Sequence, residues 1–277
     1  MILGMVKQDD SWRLPDRLWA QMEPLLPPRK PHPLGCHNPR VSDRAAMDAI
    51  LFVLRTGCQW NALNGTGICS SSSAHRRFQE WVEAGVFEEF WMQGLLSAAA
   101  LRSIDWSWLA LDGAMTKAPL GRGKKTGPNP TDRGKGGVKR SLLTDGNGLP
   151  LAVVIDGANR HDMKLARPTL EALKVERPSL LTVWPQGLCM DKGYDYPEIW
   201  RLAVEMGYRP HIRSRGEEAQ RRRAGQRARR WVVERTHSWL NRFRGLLIRW
   251  AKKAKNYLAF LHFACGIITW RTIGLLG

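Results

Sequence analysis

The chain is short of acid. It carries 25 Asp and Glu against 43 Lys and Arg, a formal charge of +18 over 277 residues. A field of that sign disfavours basic partners and favours polyanions, nucleic acid ahead of an anionic membrane surface. The chain also lacks an apolar run long enough to span a bilayer. The nearest case, NYLAFLHFACGIITWRTIGLL, is bounded or broken by Asn256, His262 and Arg271, and is expected to be a buried helix. The N-terminal MILGMVKQDDSWRLPDR has acids and Trp where a secretory signal would be apolar, so no leader is expected. Five Cys with no CxxC pair fit a reducing cytoplasm rather than a disulfide framework. Cys58, Cys69 and His75 lack the paired spacing of zinc modules. There is no internal repeat, and the Gly-rich stretch at 121–137 has no Gly-Lys-Ser/Thr at phosphate-loop spacing.

What is present divides near residue 100. The first part reads as all-helical, with helices expected over 15–25, 42–56, 73–83 and 86–100 and N-cap chemistry at Ser70 to Ser73. Short helices with tight turns suit either a helix-turn-helix-like DNA-binding module or a plain helical bundle. Arg76 and Arg77, early in the third helix, favour DNA. From 104 onward WSWLALD reads as a strand, and KRSLLTD and LPLAVVID as two strands joined at Asp145-Gly146-Asn147-Gly148. A helix over 162–175, a strand at GLCMD, a helix from Tyr196 to Met206 and a strand at YRPHI follow, and the rest is mostly helical. That order implies a mixed α/β layout around one central sheet. The chain is expected to divide into a helical part, 1–100, and a mixed α/β part, 104–277.

Three acids stand out. Asp112 and Asp191 each close a short apolar run and are expected at strand ends, where a carboxylate serves a core poorly and a metal well. Glu234 lies in an Arg-dense helix, on a stripe formed by Arg227, Arg230, Glu234, His237 and Asn241, beside a largely apolar stripe of Val233, Thr236, Leu240, Phe243 and Leu247. Alone, Glu234 could be an ordinary i,i+4 partner of Arg230, worth a few tenths of a kcal/mol. If the first and fourth strands are neighbours, the three carboxylates can meet. Hard oxygen donors suit Mg²⁺ or Mn²⁺, and two such ions about 3.5–4 Å apart can drive an in-line phosphoryl displacement. Asp145 reads as a turn residue, Asp162 and Asp195 as helix caps, and Asp156 as a possible fourth acid near the site. The basic loop with Lys124 and Lys125 and the Arg run from Arg213 to Arg230 are candidate phosphate contacts.

RTGCQWNAL with SAHRRFQEWVEAGVF, then LDG, GKKTGPNPTDRGKGGVKRSLLTD, AVVIDGANRHD, MDKGYD and WVVERTHSWLNRFR, together resemble the DDE transposases of bacterial insertion sequences, in the insertion-sequence-five group. The resemblance covers nearly the whole chain. It implies a ribonuclease-H-like mixed sheet with flanking helices behind a small helical N-terminal domain. It implies Asp112, Asp191 and Glu234 as a metal-binding triad for Mg²⁺, or Mn²⁺. It further implies that the protein binds double-stranded DNA at terminal inverted repeats, cuts there and joins the 3′ hydroxyl to target DNA. Holding two ends implies a homodimer or larger assembly, working in the bacterial cytoplasm at the nucleoid. One departure is clear. The related pattern Tyr-x2-Arg-x3-Glu-x6-Lys is met here at Arg230 and Glu234 but not at Arg227 and Asn241. Arg242 or Arg244 is then the expected charge, and Trp231 or Trp239 the expected stacking ring. Two rival readings use the same features: an inactive DNA-binding repressor or architectural protein, and a nuclease of the same fold that cuts without joining.

Overall fold

A computed structural model describes residues 12–28, 40–121, 123, 125–178, 185–212 and 229–274. The N-terminal part is helical as its periodicity requires: α1 Asp16–Met22, α2 Asp43–Thr56, α3 Ser71–Glu83 and α4 Val86–Ala100. The Ser42 hydroxyl accepts from the Ala45 amide at the start of α2, and Ser70 does the same for Ser73 before α3, each satisfying an otherwise orphaned first-turn N–H. Gly85, at φ +73°, turns the chain directly from α3 into α4. A 3-10 segment, Trp60–Gly65, intervenes between α2 and α3, so that connection is longer than a helix-turn-helix turn.

The sheet comprises β1 Trp108–Lys117, β2 Gly127–Pro128, β3 Gly136–Thr144, β4 Pro150–Gly157, β5 Gln186–Met190 and β6 Tyr208–Ile212. β1 pairs antiparallel with β3, which pairs antiparallel with β4 and, at its start, with β2. On its other edge β1 pairs parallel with β5, and β5 parallel with β6. Helices α5 Met163–Glu171 and α6 Pro197–Glu205 lie in the two stretches that lead to parallel strands, as parallel pairing demands. The hairpin between β3 and β4 forms where the sequence signals it. Fully buried Asp145 accepts the amides of Asn147 and Leu149 with one oxygen and that of Asp105 with the other. Three antiparallel strands followed by two parallel to the first, in spatial order β4-β3-β1-β5-β6, form the ribonuclease-H-like mixed sheet.

Two last helices, α7 Trp231–Asn241 and α8 Ala254–Thr272, complete the fold. No helix among the described residues is long and apolar enough to cross a membrane. Instead α8 is buried almost throughout and lies against α4. The approach is close: a Cβ on Gly266 would stand 2.6 Å from the Phe90 ring, and one on Gly94 3.1 Å from Trp270. Trp270 Nε1 donates to the Phe90 carbonyl at 3.1 Å, and Trp91 Nε1 donates to that of Pro150, at the start of β4, at 3.2 Å. The N-terminal helices therefore share one continuous hydrophobic core with the sheet. The apolar surface of α8, expected to be buried, is consumed inside the chain.

Candidate active site

β1 runs five residues beyond Asp112, so this carboxylate projects from mid-strand rather than from a strand end. Its ladder with β3 continues to Lys117, which holds the extension in place. The pleat sends neighbours to opposite faces. Asp112 points toward α7, with Oδ2 3.9 Å from His237 Nε2. Gly113 points toward α5, where a Cβ would stand 2.3 Å from Asp162 Oδ1. That space belongs to an ion pair between buried Lys139 of β3 and Asp162, at 3.0 Å. Asp162 was expected to cap α5, yet its side chain makes no cap bond; the buried ammonium has the stronger claim on it. Asp195 likewise does not cap α6; it accepts from Trp200 Nε1.

Asp191 follows β5 directly. Parallel pairing puts Ala110 level with Cys189, which brings Asp191 beside Asp112 two residues on. Its Oδ1 accepts the Gly193 amide at 2.8 Å and starts the 3-10 turn Lys192–Tyr194. Glu234 comes from the first turn of α7. Arg230, one turn earlier, donates to Glu234 Oε1 from Nε at 3.1 Å and reaches Asp191 Oδ2 from its terminal nitrogen at 3.9 Å. The i,i+4 pair therefore exists, and it exists between two of the three acids. Among the described residues no three His, Cys, Asp or Glu side chains stand together as a cage able to hold a metal ion; the Arg230 guanidinium occupies the ground between Asp191 and Glu234.

Electrostatics nevertheless unite the three. The Asp112 carboxyl is pushed up to about 7, first by burial and then by the Asp191 charge, with Glu234 adding to the rise; the Gly113 amide and Arg230 act in the opposite sense. Nearby Tyr194 is raised well above the usual phenol value by burial and by Asp162, Asp112 and Asp191. His237 is held neutral, its pKa pushed down to about 3 by burial and by Arg140. An innermost acid driven toward neutrality first by burial and then by the Asp191 charge would be relieved by a nearby cation. The hard oxygen donors of the three acids fit a divalent one.

The remaining site candidates scatter. Arg76 is exposed on α3, whereas Arg77 is buried and held by Glu80. His237 is buried too, so neither Arg77 nor His237 offers a surface donor to DNA. Lys125 reaches Asp156 at 3.5 Å. Lys124 and Arg227 lie outside the described residues. Arg242 and Arg244 are exposed past the C-terminal end of α7. The Trp231 and Trp239 rings each carry the Arg235 guanidinium, at 4.4 and 4.8 Å. Arg140, which the sequence did not single out, is buried on β3 and donates to Asn241 Oδ1 at 2.5 Å. Asn241, at the departing position of the pattern, is an exposed residue whose side-chain oxygen is occupied by this bond. Arg140 lies in a strand buried throughout after its first residue, and nothing in the local sequence signalled the partner.

The sheet order defines a ribonuclease-H-like fold. Residues 107–268 match the family described as "Transposase DDE domain", and residues 14–91 match "Putative transposase of IS4/5 family". The chain belongs to the DDE transposases of the IS4/5 family. It is 38% identical over 158 residues to "Putative transposase for insertion sequence element IS402" of Burkholderia cepacia, spanning 54% of this chain and 70% of that protein. It is 40% identical over 119 residues to "Insertion element IS402 uncharacterized 16.2 kDa protein" of the same organism, spanning 42% of this chain and 79% of that one. Among solved structures, "Crystal structure of a pre-cleavage Mos1 transpososome" overlaps 78% of this chain and 80% of its own at 9% identity. Its TM-score is 0.28, too low for the overlap to bear on fold or function.

Proposed function

We propose that this transposase binds the terminal inverted repeats of its element, cleaves DNA at the ends and joins the freed 3′ hydroxyl to target DNA, with Asp112, Asp191 and Glu234 as its catalytic acids. The observation that supports this reading is the electrostatic coupling of Asp112 on β1 to Asp191 after β5 and Glu234 on α7, with Arg230 between the last two, inside a chain of charge +18. Acids at a surface that must meet phosphate repel it unless a cation intervenes, which a repressor or architectural protein would not need. Asp112, Asp191 and Glu234 would hold Mg²⁺ or Mn²⁺. When bound, the ion activates the attacking oxygen and neutralises charge on the leaving one. The protein's share is positional. Asp112 is fixed by the sheet and backed by neutral His237. Asp191 is fixed by its bond to Gly193. Glu234 swings from α7 and is half exposed. Arg230 must yield Asp191 and Glu234 before an ion takes them.

The region 1–100 is proposed as the DNA-binding module, with exposed Arg76 among its contacts, and 104–277 as the catalytic domain. Lys124, Lys125, Arg227, Arg230, Trp231, Arg242 and Arg244 are proposed DNA contacts on the catalytic side. Two ends held at once call for a homodimer or larger assembly, acting at the nucleoid. The test is Asp191→Asn on element-end DNA in Mg²⁺: cleavage is lost while end binding survives, and retained cleavage would defeat the proposal. A pre-cut end offered with target DNA separates a joining enzyme from one that only cuts.

A further inference from the structure

Between the sheet and α7 lies a layer of buried polar side chains beyond the three acids. The β1–β3 register pairs Asp112 with Leu142 and Ala114 with Arg140, so Asp112 and Arg140 share the face that α7 covers. Arg140 is 2% exposed and His237 6%. One Arg140 nitrogen, Nη2, is spent on Asn241. Its Nε and Nη1, and both ring nitrogens of His237, have no hydrogen-bond partner among the described residues. The Asp112 backbone carbonyl bears on the ring without accepting a hydrogen bond from it. Buried nitrogens without partners are costly, and a fold that keeps several in one layer calls for a reason beyond stability.

The geometry supplies one. His237 turns Nε2 toward Asp112 Oδ2, 3.9 Å away, about 1 Å beyond hydrogen-bond length. Arg140 is the charge that bears on the ring from the other strand. A guanidinium has donors only, so a ring nitrogen that meets it must accept. With Nε2 turned to Asp112, the acceptor is Nδ1 and the ring proton stays on Nε2. We infer that His237 is a positioning residue for Asp112: Arg140 fixes its tautomer, and its Nε2–H donates to Asp112 Oδ2 when the acids hold a cation. The ring then keeps the carboxylate in one orientation, the service that groups just outside a metal's own ligands perform. This rests on the triad proposed above. It also gives a purpose to a histidine too deeply buried to touch DNA.

Isothermal titration of the full-length protein with MnCl2, beside urea unfolding in EDTA, tests it. His237→Leu should bind Mn²⁺ about tenfold more weakly, while its urea midpoint in EDTA holds or rises, because two orphaned nitrogens are gone. A histidine that only fills space would give the reverse, a lower midpoint with unchanged affinity, and that result overturns the inference. His237→Gln, whose amide nitrogen reaches the place of Nε2, should recover most of the affinity. His237→Asn, whose amide reaches only the place of Nδ1, should not. Equal affinities in these two variants overturn the inference as well, even where the leucine variant fails to fold. Nitrogen NMR of the ring in Mg²⁺ should find the proton on Nε2, and a proton on Nδ1 overturns the assignment. Asp191→Asn separates the two proposals. If it binds Mn²⁺ as the wild type does, the triad fails; if it loses the ion while His237→Leu keeps full affinity, only the role of the histidine fails.

Discussion

Arg230 lies where a cation should, and removing it should reveal the competition. In Arg230→Gln the guanidinium that faces Glu234 at 3.1 Å and Asp191 at 3.9 Å is gone. The stability cost is small. Both acids are partly exposed, at 52% and 37% of their side-chain surface, and an exposed i,i+4 pair contributes about 0.3–0.5 kcal/mol. With the second ion pair and the leftover repulsion among carboxylates, the loss in metal-free buffer stays below about 1 kcal/mol. The gain lies in cation affinity. A unit charge about 4 Å from a carboxylate is worth at most about 4 kcal/mol at an effective dielectric of 20. Discounted for solvent screening, about 1 kcal/mol remains, or about fivefold tighter Mg²⁺ binding. Isothermal titration with MgCl2 and MnCl2 reads the affinity, and urea unfolding in EDTA reads the stability. Weaker or unchanged ion binding in the variant would refute the idea that Arg230 and the ion compete for Asp191 and Glu234, whatever happens to cleavage.

Two further outcomes follow from the core. Gly266→Ala drives a methyl group against the Phe90 ring at 2.6 Å and toward the α4 backbone at Trp91, so it should cost about 1–3 kcal/mol by overpacking, read as a lower urea midpoint at constant slope. His262, buried on α8, has its pKa pushed down to about 4, mainly by burial, with Lys174 acting in the same sense and Glu88 against it. The unfolded imidazole titrates near 6.5, so the folded state holds fewer protons between those values. Stability should therefore fall as pH drops from 6.5 to 4, by about 1.4 kcal/mol per unit. In His262→Gln that part of the pH dependence disappears, measured as urea midpoints across the window.

Local signals were legible where they were self-sufficient. The Asp145–Gly148 turn satisfies its own amides, and Ser70 caps α3 without help from elsewhere. The β3–β4 pair and a single mixed sheet followed from the order of apolar runs and the turn between them; the pairing of β1 with β3 and of β5 with β6 did not. The length of β1 did not, because Gly113 to Lys117 has no apolar run and owes its extension to the ladder with β3. Charged residues were the hardest to read. In a chain this basic, Lys139, Arg140 and Arg249 look like more surface, yet all three are buried. Arg249 donates to the carbonyls of Lys125, Ala251 and Lys252 and to the Thr126 hydroxyl, fastening the chain after α7 to the basic loop. The neighbourhood of the three acids was legible only through the assumed adjacency of β1 and β5. That Arg230 would stand between two of them, in its ordinary helical pair, was open from the spacing alone.

The seam between α4 and α8 joins residues 180 positions apart. During synthesis, the helices that share this core emerge long before the helix that shields them, and pairings of such separation form late. Until α8 docks, Phe87, Phe90, Trp91 and Leu95 have no cover on that side. A prematurely ended product lacking α8 would thus leave that apolar face of α4 uncovered and prone to aggregate.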